Sequence, residues 1–247
     1  MSSRLTPDTL IAFDTSTERM AVGVQAGGRR FTEDAEGGAA ASATLLPTLQ
    51  ALLARAGRGM ADVMAIAFGR GPGAFTGLRT SCSVAQGLAL ALQRPVLPLD
   101  SLLIVAEQAR LQGGVSGDFE LGVAMDARMG EVYAARWRWA GDPGQDARWQ
   151  PLEPAALWAP EALAAAWAQS PPDRCTGSAL ERFDAELGRC CARARRLEPG
   201  TARAAALLEL AHRAFHAGAG VDAAEALPLY LRDKVALTTA ERAAAAR

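Results

Sequence analysis

Gly69-Arg70-Gly71-Pro72-Gly73-Ala74-Phe75-Thr76-Gly77-Leu78-Arg79 is the stretch from which the fold is read. Four glycines fall within nine residues around Pro72, which shapes a tight loop. Val63–Gly69 ahead of it is an apolar run of strand character, and Thr76–Leu92 behind it has the composition of a helix. Strand, glycine loop and helix form the unit of an α/β sheet, and the free N–H groups of a helix start offer an anion site. The loop lacks the GK[ST] ending of a Walker motif. It also fails as a dinucleotide fingerprint, because Thr76 stands where the last glycine of a pattern begun at Gly71 belongs. A glycine turn with a purely structural role is the alternative.

The helix that follows carries Leu78, Cys82, Ala85, Ala89 and Leu92 on one face and Ser83, Gly87, Leu90 and Ala91 around the rest, with Arg79 as its only charge. A helix apolar nearly all round is expected to be covered on both sides, and its small residues suit the close approach of a second helix. Ser42–Ala56 predicts another amphipathic helix, with Leu45, Leu49, Leu52, Leu53 and Ala56 on its stripe, Leu46 off it, and Gly57 as the stop.

Further out, Thr9–Phe13, Met20–Ala26 and Arg29–Ala35 predict a three-stranded meander turned at Gly27-Gly28. Pro95–Leu99 predicts a strand, and Ser101–Leu111 a helix capped by Ser101. After Gly113–Gly117 the pattern restarts, with strands at Phe119–Asp126 and Glu131–Trp139. Strand, terminal aspartate, turn and strand thus occur around both Asp14 and Asp126, which predicts two domains of related topology. The expected division is an N-terminal domain over 1–112, completed by the helix within 202–220, a smaller second domain over 113–201, and a C-terminal segment over 221–247. Asp142–Ala147 reads as a loop, Pro160–Gln169 and Ala202–Ala217 as helices, and the tail from Glu241 as prone to fraying.

The bulk numbers limit function. With 26 basic and 27 acidic side chains the net charge is -1, so the chain offers no footprint for gripping nucleic acid alone. The four cysteines, Cys82, Cys175, Cys190 and Cys191, have no CxxC spacing and fit reduced thiols. The start of the chain lacks the pattern of a leader, and no stretch approaches a membrane span, so a cytoplasmic protein is expected. Lys234 is the sole lysine, a compositional bias to which no mechanism attaches.

Asp14-Thr15-Ser16-Thr17, between two antiparallel strands, either presents N–H groups and hydroxyls to a phosphate, with the carboxylate holding hydrated magnesium, or forms a polar β-turn. The candidate nucleotide-binding set is Asp14, Thr15, Ser16, Gly71, Gly73, Thr76 and Gly77. His212 and His216 have the HxxxH spacing of metal ligands, but Arg213 follows the first and only Glu209 lies near. They read as part of a solvated or packed helical face, and no metal ligand is assigned. No G-x-S-x-G elbow and no nucleophile and base pair are evident, and no catalytic residue is assigned.

Taken together, IAFDTST, GRGPGAFTGLR, AQGLAL, MDARMGEVYAA and YLRDKVA resemble the bacterial TsaB (YeaZ) family, in order over most of the chain. The resemblance implies an α/β fold of two actin-like ATPase domains with mixed sheets flanked by helices. It implies a noncatalytic role in making N6-threonylcarbamoyladenosine next to the anticodon of tRNAs that read codons starting with A. The implied partners are TsaD, which holds the metal and the catalysis, and the ATPase TsaE, with self-pairing when TsaD is absent and tRNA met only within the complex. It implies no cofactor of the chain's own, with ATP or ADP at or near the TsaD interface, and it implies that the late HxxxH is not TsaD's metal motif. The first two helices become the expected partner surface, through Leu45, Leu46, Leu49, Leu53, Arg79, Ser83, Gln86, Gly87 and Leu90. In AAASATLLP, Ala41 stands where the family commonly has a histidine. The competing classes are an independent nucleotide-dependent enzyme and a peptidase.

Overall fold

The computed structural model describes residues 9–141, 148–191, 194–198 and 200–232. The expected loop at Asp142–Ala147 and the tail beyond Arg232, with the end of YLRDKVA, lie outside the described residues.

Strands β1 (Leu10–Asp14), β2 (Arg19–Ala26), β3 (Arg29–Glu36), β4 (Ala65–Gly71) and β5 (Val96–Asp100) form a sheet in the order β3-β2-β1-β4-β5. The meander β1-β2-β3 is antiparallel, while β4 and β5 run parallel to β1. β1 is buried on both sides, which is why it reads as an unbroken apolar run. Its alternate residues sort the faces. Leu10 and Ala12, beside Ala65 and Ala67, lie under α7 (Arg203–His216), whereas Ile11 and Phe13, beside Ile66 and Phe68, lie under α1 (Ala41–Arg55) and α2 (Phe75–Leu92). A Cβ on Gly23 of β2 would sit 2.6 Å from Leu208 Cγ, so this glycine lets α7 lie against the sheet.

Strands β6 (Phe119–Asp126), β7 (Val132–Ala140), β8 (Arg148–Trp158), β9 (Arg174–Thr176) and β10 (Arg195–Arg196) repeat the plan as β8-β7-β6-β9-β10, antiparallel on one side of β6 and parallel on the other. Asp14 and Asp126 end the equivalent strands. α3 (Ser101–Gln112) packs Leu102, Val105, Ala106 and Ala109 on one face of this sheet against Leu121, Val123 and Trp137. The other face receives α4 (Pro160–Gln169), α5 (Ala179–Arg182) and α6 (Asp184–Leu187), with Trp167 buried over Gly122, where a Cβ would lie 2.8 Å from the indole.

Two expectations are corrected. β8 is absent from the sequence reading because Pro151 and Pro154 interrupt its pattern. It is an edge strand bonded only to β7, and there prolines cost little. Ser101 does not cap α3: Asp100 holds the cap position with its carboxylate turned to Arg70 and not to the helix N–H groups, and the Ser101 hydroxyl turns toward Asp14.

The two halves meet at Glu107 on α3, whose carboxylate is fully buried. It accepts from Arg110 Nε at 2.7 Å and Nη2 at 2.8 Å and from Trp149 Nε1 at 2.9 Å, with Arg213 of α7 at 3.7 Å. Both guanidiniums lie over the Trp139 ring, at 4.1 Å and 4.7 Å. One carboxylate thereby joins α3, α7 and two strands of the second sheet. Removing it leaves cations in low dielectric, so Glu107→Ala is expected to lower unfolding free energy by about 3 kcal/mol, and Glu107→Gln by less. Urea denaturation of the three chains checks this.

Candidate functional site

A cleft of about 1120 Å³ opens between the two sheets. Its walls include Thr17–Arg19 after β1, Pro72–Phe75 before α2, one face of α3, the turn Asp126–Met129, and the segments Gly200–Arg203 and Leu229–Arg232. Asp14 sits beneath this cleft and does not line it.

Asp14 is fully buried, and each partner of its carboxylate comes from the chain itself. Arg203 Nη2, at the start of α7, donates to Oδ2 at 2.6 Å, Ser101 Oγ donates to Oδ2 at 3.3 Å, and the Ser16 N–H donates to Oδ1 at 2.7 Å. Burial pushes the Asp14 carboxyl upward. The charge of Arg203 and the bonds from Ser16 and Arg203 outweigh it, and the net pKa lies below the usual carboxylate range. The neighbouring hydroxyls are equally committed. Thr15 Oγ1 donates to the Gly77 carbonyl at 2.6 Å, the Thr15 N–H donates to Ser81 Oγ at 3.0 Å, and Ser16 Oγ donates to Ser101 Oγ at 3.2 Å.

The glycines explain themselves by proximity. Gly69 and Gly71 belong to β4, so the loop is shorter than its glycine content suggests. A Cβ on Gly69 would run into the Asp14 carboxylate and one on Gly77 into the Thr15 carbonyl, while one on Gly73 would sit 2.6 Å from the Ser16 carbonyl oxygen. Gly71, at φ 113°, faces the Leu229 carbonyl oxygen, 2.9 Å from where its Cβ would be. The glycine loop is therefore pressed onto the 14–16 turn, and the structural reading of these glycines is the one the packing supports. Of the seven nucleotide-binding candidates only Gly73 lines the cleft. Asp14, Thr15, Ser16, Gly71 and Gly77 are buried and engaged internally, and exposed Thr76 does not line it. An arginine occupies the carboxylate that the sequence reading offered to magnesium.

The partner-surface candidates divide as well. Leu45, Leu49 and Leu53 are in the core against the first sheet and cannot meet a partner, because the α1 stripe is consumed by its own sheet. Leu46 is 39% exposed and Leu90 77%. Arg79, Ser83 and Gly87 are exposed with them, and Gln86 is half-buried, its amide donating to the Ala226 carbonyl at 3.0 Å. The outer side of α2 is thus open in the isolated chain: no described residue packs over Ser83, Gly87 and Leu90, which leaves a subunit interface and not intradomain packing as the covering that the helix composition calls for. At its first turn Arg79 lies over Phe75 at 3.8 Å and donates to Tyr230 Oη at 3.3 Å. The role of the 226–232 segment, which runs along α2 and the glycine loop, carries no helix or strand pattern and was not legible.

His212 and His216 meet edge to face on α7, ring centroids 4.3 Å apart, and among the described residues no group of three His, Cys, Asp or Glu gathers for a metal.

Two sheets of identical strand order, each opened by an antiparallel meander and facing one another across a cleft, define the actin-like ATPase fold class. Residues 37–150 match the family described as TsaD, tRNA N6-adenosine threonylcarbamoyltransferase. The tRNA threonylcarbamoyladenosine biosynthesis protein TsaB of Escherichia coli (strain K12) is 33% identical over 205 residues, covering 78% of this chain and 80% of that protein. The protein of that name from Haemophilus influenzae is 35% identical over 162 residues, 62% of this chain and 65% of its own length. The solved structure of YeaZ from Pseudomonas aeruginosa superposes with a TM-score of 0.71 at 35% identity, covering 91% of this chain and all of that one. The chain belongs to the TsaB (YeaZ) family.

A depressed folded-state pKa stabilises the fold above the unfolded carboxylate value, about 4, and that contribution is lost as pH falls through the folded value. Asp14→Asn is expected to lose about 3 kcal/mol at neutral pH, by stranding Arg203, and to flatten the acid limb of stability. Urea midpoints between about pH 7 and pH 3 test both effects.

Proposed function

We propose that this chain is a noncatalytic subunit in the formation of N6-threonylcarbamoyladenosine next to the anticodon of tRNAs reading codons that start with A. It docks on the catalytic subunit TsaD, works with the ATPase TsaE, and pairs with itself through the same helices when TsaD is absent. The net charge of -1 supports a chain that meets tRNA only inside the complex. The domain division at 112/113, with α7 returned to the first domain, belongs to this reading.

One observation carries the docking surface. Gly87 lies in the middle of α2, and a Cβ placed there meets nothing within 4 Å. A glycine inside a helix costs roughly 1 kcal/mol relative to alanine, and nothing among the described residues requires it. It stands beside Leu90, the most exposed large apolar side chain among the described residues, with Ser83 a turn earlier and Leu46 on the neighbouring helix. A strip of small residues edged by leucines fits a helix approaching from another subunit. The internal saturation of Asp14, Thr15 and Ser16 supports placing ATP or ADP at the junction with TsaD and not in this chain's own cleft.

Gly87→Ala is expected to raise the stability of the isolated chain by about 0.5–1 kcal/mol. Gly87→Arg or Leu46→Asp should abolish co-purification with TsaD while circular dichroism and urea midpoint stay near those of the parent. Retained complex in both variants would refute the surface. ATP turnover by the purified chain alone, lost in Asp14→Ala, would instead support an independent enzyme.

A further inference from the structure

The cleft wall holds a guanidinium that Asp14 only half occupies. Arg203 lines the cleft with 8% of its side chain exposed. Its Nη2 is spent on Asp14 and on the Ser101 carbonyl, at 2.6 Å and 3.3 Å. Its Nε has no hydrogen-bond partner, and no described residue accepts from Nη1. Buried donors are nearly always paired, so the open edge of this side chain calls for an acceptor.

Three helices begin at the same wall. Phe75, Ser101 and Arg203, the first residues of α2, α3 and α7, all line the cleft. Hydrogen bonds chain the three starts together: the Ala74 N–H donates to the Ser16 carbonyl at 2.8 Å, Ser16 Oγ to Ser101 Oγ at 3.2 Å, and Arg203 to the Ser101 carbonyl. Neither α2 nor α3 has a side chain capping its first turn, and in α7 Asp34 takes the Ala204 N–H alone at 3.1 Å. Each helix start carries roughly half a positive charge. The Asp14–Arg203 pair is neutral by itself, and the three dipoles turn this end of the cleft toward a further anion.

The remaining walls limit that anion to one charge. Glu18, Asp126 and Glu181 also line the cleft and would repel a polyphosphate. The other arginines there are matched: Arg128 with Glu18, Arg182 with Asp126 at 3.8 Å, Arg232 with Glu131, and Arg19 with the Asp34 carbonyl at 2.9 Å. Between these groups the surface is apolar, with Phe75, Met125, Tyr133 and Leu229 half-buried above Leu102 and Val105 of α3. A volume of about 1120 Å³ admits a ligand of substantial size without movement of the two halves.

We propose that the cleft binds an apolar monocarboxylate, its head group accepting from the open edge of Arg203 at the meeting of the three helix starts and its hydrocarbon body lying against Phe75, Met125 and Leu229. This site is separate from the docking strip on α2 and takes no nucleotide.

The test uses the full chain and calorimetric titration with 2-naphthoate, with decanoate beside it to separate an aromatic from an aliphatic body. Saturable one-to-one binding with a dissociation constant below about 1 mM is expected for at least one of them. The neutral isostere 2-naphthalenemethanol should bind at least about tenfold more weakly, since it cannot make charge-assisted bonds to Arg203. ATP should not displace the bound acid. Met125→Glu and Leu229→Glu each set a further carboxylate in the wall and should weaken binding by about tenfold or more, with circular dichroism unchanged. A crystal soaked with 6-bromo-2-naphthoate locates the site in the parent chain by the anomalous signal of bromine, so misfolding of a variant does not blunt the result. Absence of saturable binding, equal affinity for the alcohol, displacement by ATP, or bromine outside the cleft with only water on Arg203 overturns the proposal.

Discussion

The ion pair between Asp14 and Arg203 is the constraint around which the first half of the molecule is arranged. A carboxylate with no exposure must be neutralised and hydrogen-bonded to persist in the folded state. Arg203 does this from the first residue of α7, which the chain reaches only after building the whole second sheet. The C-terminal end of β1, the start of α3 and the start of α7 are therefore fixed relative to one another, and α7 is oriented as it descends across β1 and β2. The glycines of β4 and the loop after it follow from the same constraint, since the backbone must pass close to the carboxylate and to the turn that carries it.

That pair also accounts for what was legible in the sequence and what was not. β1, β2, α1 and α2 announce themselves because each buries apolar residues against a neighbour close in the chain, and β3, which has no fully buried residue, through the Gly27-Gly28 turn that joins it to β2. The repeat around Asp126 was visible for the same reason, and the matching strand orders of the two sheets bear out the two-unit α/β plan. β8 was hidden by prolines that only an edge strand tolerates, and β9 and β10 are too short to carry a pattern. Between the open alternatives at the site, sequence could not choose where chemistry depends on distance across the fold. Asp14 and Arg203 are 189 positions apart, and nothing local to DTST indicates that a guanidinium returns to it. Glycine content suggested a phosphate loop, while the cause is steric contact with Thr15 and Ser16.

The outer side of α2 presents the opposite case, in which sequence alone indicated small and apolar residues but could not say which were spent internally. The structure separates them by burial. Leu45, Leu49 and Leu53 complete a core, and Leu46, Ser83, Gly87 and Leu90 remain at the surface. Both helices rest on the same face of the first sheet, backed by Ile11, Phe13, Ile66 and Phe68. The segment after α7 reinforces one edge, with Tyr230 packed on Phe75 at 5.3 Å and Arg232 paired to Glu131 across the mouth of the cleft.

The cleft is tied at several points. Glu107, buried on α3, gathers groups from both halves, Arg232 joins the late segment to the turn after β6, and exposed Arg128 of that turn pairs with exposed Glu18 of the opposite wall. Domain closure of the hinge or shear kind would require these contacts to break or re-form together. The consequence is geometric: α2 starts in the wall of the cleft with Phe75 and Leu78 and carries Leu90 outward to the surface, so a single rod runs from the cleft to the open strip.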